Sequence, residues 1–180
     1  MKGKRTNLEF EKHELIVTEK YGLLVHHLKK PSTDYDNVKF INTNGIMAVT
    51  GDYGNWIFCR EFKPAHNAKV SDQYWIEKLT NASTQKPYEF SQDETRAEIE
   101  ALLLEGDLTD DEIEYLQGCL EKVDEGKFDY EYYAHRENVG RFQDHENVPM
   151  VEKPKHWLLV VFDAWEEICR RTGPEPENNK

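Results

Sequence analysis

A chain of 180 residues with 35 acidic and 23 basic side chains carries a formal net charge of −12, which counts against bulk DNA or RNA binding. Its 38% hydrophobic and 12% aromatic content supports a packed interior rather than disorder. The longest uninterrupted apolar run, residues 157–162, falls far short of the ~18–20 residues of a membrane span, and no signal-peptide core follows the basic N-terminal residues.

In chain order, residues 13–62 read as an antiparallel sheet. Residues 15–18 are apolar and partly β-branched, and Glu19-Lys20-Tyr21-Gly22 reads as a turn ending in a residue tolerant of positive φ. Residues 23–28 resume the apolar pattern until Lys29-Lys30-Pro31. Residues 38–43 lead into Asn44-Gly45, a strong hairpin signal, and 46–50 return. Gly51-Asp52-Tyr53-Gly54 is a second tight connection, followed by alternation over 56–62. No connection is long enough for a parallel crossover, so five strands form a meander. An amphipathic helix over 9–28 competes for the first part; Gly22 and the β-branched Ile16, Val17 and Thr18 weigh against it.

The second half is helical. Ser71 or Asp72 caps a helix over 71–81 carrying Tyr74, Trp75, Ile76 and Leu79, and a polar linker with Pro87 follows. Ser91 and Glu94 have capping-box spacing and open a helix through Leu104; Thr109 and Glu112 repeat it and open another to about Val123. The pair reads as an αα-hairpin within an acidic helical segment, 91–137, whose last part (128–137) is helical with a strand alternative. Residues 140–155 are irregular, 157–171 form an apolar helix closed by Gly173-Pro174, and 174–180 are a frayed tail. The whole is expected to be a single α+β domain, 1–180, with the sheet packed by C-terminal helices.

The charge is uneven. Residues 1–88 carry +3, residues 89–137 carry −13 and residues 138–180 carry −2. The break coincides with the change from strand to helix patterning. The acidic helices therefore have two interpretations. They are either a solvated face, since helix N-termini favour acids in any case, or a surface that imitates nucleic acid and occupies a basic groove on a partner. Asp107, Asp110, Asp111, Glu112, Glu114 and Glu121 are the candidate partner-binding residues.

Other constellations have a bland explanation beside the functional one. The two glycines and the acid of 51–54 can present backbone N–H groups to an anion, or the Asp to a metal, or simply build a β-turn, which is the better assignment; they lack phosphate-loop spacing. His26 and His27 are neighbours on a strand and face opposite sides, so they cannot readily share a metal. Asp144-His145-Glu146 supplies ligand residue types without a second His at i+4 or a Cys pair; a solvated loop is the better assignment. Cys59, Cys119 and Cys169 have no metal or paired spacing and suit buried free thiols in a reducing, cytosolic setting. Tyr74 and Lys78 share a helix face at i,i+4 and can line a ligand groove with Arg60, or belong to an aromatic core helix with ordinary surface charges. No catalytic set, metal site or cofactor is expected.

The residues Gly22, His27, Leu28, Pro31, Gly51, Asp52, Gly54, Phe58, Arg60, Tyr74, Trp75, Glu77, Lys78 and Leu79 follow a recognisable order. The region 13–79 resembles an uncharacterised family of small proteins encoded by tailed phages and prophages, with its Gly-Asp-x-Gly-x-x-x-Phe-x-Arg strand followed by Tyr-Trp-x-Glu-Lys-Leu on a helix. The likeness covers about 70 of the 180 residues. Lys20-Tyr21 precedes Gly22 where acids are usual, and Asn44-Gly45 replaces a Pro-Gly turn. The resemblance implies a phage or mobile-element origin and no established activity.

The expectation is therefore a phage-encoded accessory protein in the host cytoplasm. It would bind and inhibit a host protein, such as a component of a defence system, through a basic nucleic-acid-binding groove, with no direct nucleic-acid or membrane binding. The alternative is a small-ligand module, a nucleotide sponge or weak hydrolase. Its candidate site draws on His27, Gly51, Asp52, Gly54, Arg60, Tyr74, Trp75 and Lys78, because Arg suits phosphate oxygens and an aromatic ring stacks on a base.

Overall fold

In the computed structural model the described residues are 4–61, 70–79, 86–126, 139–143 and 149–172. They form an α+β structure whose N-terminal five-stranded antiparallel sheet packs against a C-terminal helix. The strands are β1 (Glu14–Lys20), β2 (Leu23–Lys29), β3 (Asn37–Thr43), β4 (Ile46–Gly51) and β5 (Trp56–Phe58), in the order β1-β2-β3-β4-β5. The two tightest turns obey the backbone rule for two-residue hairpins. Tyr21 and Gly22 sit at φ 53° and 77°, and Asn44 and Gly45 at 42° and 84°. No part of the 9–28 stretch is helical.

The chain divides into two compact units, Met1–Pro87 with Pro154–Lys180, and the intervening Tyr88–Lys153. The first contains the sheet, the short helix α1 (Asp72–Glu77) and the long helix α4 (His156–Thr172). The second contains β6 (Tyr88–Phe90), α2 (Gln92–Leu103), α3 (Asp110–Asp124), a 3-10 turn (Gly140–Phe142) and β7 (Glu152–Pro154), whose last residue belongs to the first unit.

In the sheet unit, alternation sorts the side chains. Leu28, Val38, Phe40, Met47, Val49, Trp56 and Phe58 are buried on one face. They meet α4, which is buried continuously from Val160 to Trp165. Phe40 lies 5.0 Å from Trp165 and Phe58 lies 6.5 Å from Phe162, ring centre to ring centre. His26 points into the same core, 3% exposed and edge-on to Trp165; burial lowers its pKa and keeps the ring neutral.

A helix buried this completely must satisfy its one polar residue there, Asp163. The carboxylate accepts bonds from the N–H groups of Arg5 (3.0 Å) and Thr6 (2.8 Å), the Thr6 hydroxyl (2.7 Å) and the Arg5 guanidinium (3.1 Å). Arg5 also bonds Asp72 at the start of α1 and Glu166. At the other end of α4, the Arg171 guanidinium donates to the carbonyls of Phe10, Glu11 and His13.

α1 ends earlier than the expected residue 81. Phe58 bridges Leu79, and the Cys59 N–H donates to the Lys78 carbonyl, so sheet-edge pairing stops the helix. β5 likewise stops at Phe58 rather than at the expected residue 62, because residues 59–61 are not strand. Residues 62, 80 and 81 lie outside the described residues, as do the assignments at 128–137, 144–146 and 174–180.

The inserted unit builds its own core from Ile99, Tyr115, Leu116, Cys119, Val123 and Phe142, with Tyr115 and Phe142 stacked at 5.3 Å. The capping box at Thr109 and Glu112 forms as the spacing predicts. At Ser91 it does not: that side chain is 1% exposed and makes no cap bond. The stretch expected to be irregular before residue 155 contains β7, which pairs with β6; Ser91 N–H donates to the Val151 carbonyl and Val151 N–H to the Thr95 hydroxyl. Just outside this ribbon the Lys155 N–H donates to the Pro87 carbonyl at 2.9 Å.

Replacing Asp163 with Ala removes the acceptor of four bonds and leaves Arg5 without its most buried carboxylate. We expect a loss of about 3 kcal/mol, read as a lower midpoint in urea denaturation followed by tryptophan fluorescence. An unchanged midpoint would contradict the role given to this residue.

Candidate functional site

The eight residues assigned from sequence to a ligand site fall into two separate groups. The turn 51–54 joins β4 to β5, and β5 leads away from it. In the β4–β5 register Met47 faces Phe58, so Arg60 lies beyond the opposite end of the strand, beside the Asn44-Gly45 hairpin. Glu61 confirms that end by accepting a bond from the Gly45 N–H at 3.1 Å. A single site uniting Gly51, Asp52 and Gly54 with Arg60 is therefore not assembled.

The group at the turn is structural in its contacts. Asp52 accepts bonds from the Asn37 N–H (2.8 Å) and side-chain amide (2.7 Å), and its own N–H donates to the Asn37 carbonyl. Gly51, at φ 136°, leaves only 2.3 Å between an added Cβ and that carbonyl, so no side chain fits. Gly54 also needs positive φ, at 94°. His27 lies on the face opposite His26, opposite Lys39 in the β2–β3 register. Burial lowers its pKa, assisted by Lys39 and Lys29, so the ring is neutral.

The second group is brought together. Tyr74, held in α1 by the Ser71 cap, has the Arg60 guanidinium 4.9 Å from its ring centre and the Lys78 ammonium also at 4.9 Å. Trp75, 3% exposed, lies 5.8 Å from Arg60 and packs edge-on against Phe58. Of the six arginines among the described residues, Arg5, Arg96, Arg141, Arg170 and Arg171 each pair with carboxylates. Arg60 pairs with none of the described carboxylates and stacks on rings instead. In a chain so rich in acids, that distinguishes it. Cys59, next to it, is exposed rather than buried; Cys119 and Cys169 are buried, and burial pushes the Cys169 thiol up to about 12.

The six acids assigned to a partner surface also divide. Asp110, Asp111, Glu114 and Glu121 are exposed on α3, and no described cation pairs with them. Asp110, Glu114 and Glu121 project along one stripe, because four- and seven-residue spacings bring side chains back to one side of a helix. That stripe is opposite the buried Glu112, Leu116, Cys119 and Val123. Asp93, Glu94 and Glu98 on α2 are likewise exposed with no described cation partner, which sequence reasoning did not single out. Asp107 is exposed but bonds Arg141 at 3.0 Å.

Glu112 leaves the partner set. It is 6% exposed and turned inward, accepting the Arg141 N–H (2.8 Å), the Thr109 N–H (2.9 Å) and the Thr109 hydroxyl (3.0 Å). These bonds, the Arg141 N–H foremost and then Thr109, hold its carboxyl below the usual carboxylate range. Gly140 makes room for it: a Cβ there would meet the carboxylate at 2.2 Å.

Among the described residues no cluster of three His, Cys, Asp or Glu side chains is placed to hold a metal ion, and no helix is long and apolar enough to cross a membrane. Comparison with family models, with curated proteins and with solved structures finds no match to this chain.

The depressed Glu112 carboxyl sets a pH dependence. A group whose folded pKa lies below its unfolded value of about 4.5 stabilises fully above that value, and its contribution is lost as pH falls through the folded pKa. Glu112→Gln should therefore flatten the acid-side stability profile of the inserted unit below pH ~4.5, as followed by Tyr115 fluorescence or amide exchange. An identical profile would show that Glu112 does not couple to folding.

Proposed function

We propose that the protein is a non-enzymatic accessory protein that binds a host component, its acidic helical hairpin engaging a basic surface otherwise used for nucleic acid. The observation that supports this is the row of exposed carboxylates on α3 without described cation partners, in a unit carrying 20 acidic and 6 basic side chains. Cations pair readily elsewhere in the chain, so an unneutralised row is the place where a cationic partner gains most. The phage-like features of residues 13–79 suggest a bacterial host factor, including a defence component, as the partner.

Charge reversal tests this. Asp110→Lys, Glu114→Lys and Glu121→Lys together should weaken capture of the partner from bacterial lysate on the order of 100-fold at low salt. Wild-type capture should fade as salt rises through ~0.5 M, where exposed charges are screened. The captured protein should lose nucleic-acid binding when the wild-type chain is added. Equal capture by the reversed variant removes this function.

A second function has its own observation, the carboxylate-free Arg60 stacked with Lys78 on Tyr74. Two cations around a half-buried ring suit a phosphorylated, base-bearing ligand. Millimolar ADP, ATP or GTP should then raise the melting temperature by several degrees, and Arg60→Ala should abolish the shift. If none of these nucleotides moves the wild-type melting temperature, the ligand-binding alternative falls.

A further inference from the structure

The two edges of the five-stranded sheet are treated differently. Beyond β5, the Phe58–Leu79 bridge and the Cys59 N–H bond to Lys78 continue the pairing. Beyond β1, no described backbone pairs. β1 is seven residues long, runs in unbroken register with β2, and has neither proline nor bulge, two of the devices that protect an open edge, while its end charges, Glu14 and Lys20, are of opposite sign. Its hairpin also carries three large exposed apolar side chains, Val17 (49%), Tyr21 (90%) and Leu23 (41%).

We propose that β1 pairs with β1 of a second copy of this chain, antiparallel and centred on Val17, joining two sheets into one of ten strands. The register follows from hydrogen-bond direction. Tyr21-Gly22 is a two-residue turn, so Lys20 and Leu23 form the bonded pair that closes it. Counting back by twos, the N–H and C=O groups of Lys20, Thr18, Ile16 and Glu14 point at β2, and those of Leu15, Val17 and Glu19 point to the open edge. A two-fold axis at Val17 sets Val17 opposite Val17 and Leu15 opposite Glu19, making about six new backbone bonds.

The side chains fit the same register. Glu14 falls opposite Lys20 at both ends, an opposite-charge pair made twice, and Ile16 falls opposite Thr18. Glu14 keeps its own-chain neighbour Lys29 at 3.5 Å, so the added Lys20 joins an existing pair. Centring the axis on Glu19 would instead oppose two glutamates and shorten the ladder. Only the Val17-centred register uses all seven residues with the charges matched. The contact is small, so association is weak, with a dissociation constant roughly in the micromolar range.

Sedimentation equilibrium of the full chain from ~5 to ~500 µM tests this. We expect a monomer–dimer equilibrium that Lys20→Glu weakens at least tenfold and that Glu14→Lys with Lys20→Glu restores. In a Cys59→Ser background, Val17→Cys should form a disulfide-linked dimer on mild oxidation, because bonded antiparallel pairs hold their Cα atoms ~5.5 Å apart. Glu19→Cys, whose symmetry mate lies several residues away along the ladder, should stay monomeric. Circular dichroism of each variant confirms that the sheet is intact. A wild-type chain that stays monomeric at ~500 µM overturns the proposal, as does cross-linking of Glu19→Cys as readily as Val17→Cys.

Discussion

The sheet unit depends on one buried carboxylate. Its inner face is covered by α4, which arrives only after the 66 residues of Tyr88–Lys153. A helix returning from so far needs a feature that selects its depth and rotation. Hydrophobic contact alone is permissive, since aromatic and aliphatic surfaces tolerate sliding. Asp163 is not permissive. An unpaired carboxylate at 8% exposure costs several kcal/mol, and this one is satisfied only where Arg5 and Thr6 bring two N–H groups, a hydroxyl and a guanidinium to it. Arg5 passes the constraint to Asp72, and so to the helix that carries Tyr74 and Trp75.

Local chemistry was readable in the sequence, and long-range pairing was not. Asn44-Gly45 announced its hairpin because few other dipeptides accept positive φ twice. Thr109 and Glu112 announced a cap because both groups of the box lie within one turn. Tyr74 and Lys78 came together because i,i+4 spacing is independent of fold. The β6–β7 ribbon was invisible: three residues a side are too few for a period, and Glu152-Lys153-Pro154 resembles a loop. Asp163 gave half a signal, an acid amid apolar residues, but nothing marked Arg5, 158 residues away, as its partner.

The separation of Arg60 from the 51–54 turn was recoverable from topology. In a meander every strand carries its end residues away from the preceding turn, so features flanking a strand cannot share a site at one end. Glu112 gives the complementary lesson. Its place in sequence, clustered with Asp110, Asp111 and Glu114 at one helix start, groups it with the exposed acids, and neither that cluster nor the capping box by itself buries a side chain. The burial follows from the approach of Gly140 and the Arg141 N–H, 29 residues on. Residue type therefore located the acidic surface, while membership of that surface was set by tertiary contacts.

The short bond between Lys155 and Pro87 has a consequence for how such a chain can change. Departure and return lie side by side, so the sheet experiences the whole excursion as a single tight link, whatever its content. Loop-closure entropy rises only about 0.6 kcal/mol per doubling of length. The sheet scaffold is therefore nearly indifferent to the size of what is spliced there, and one helical hairpin can be exchanged for another during descent without retuning the core that receives it.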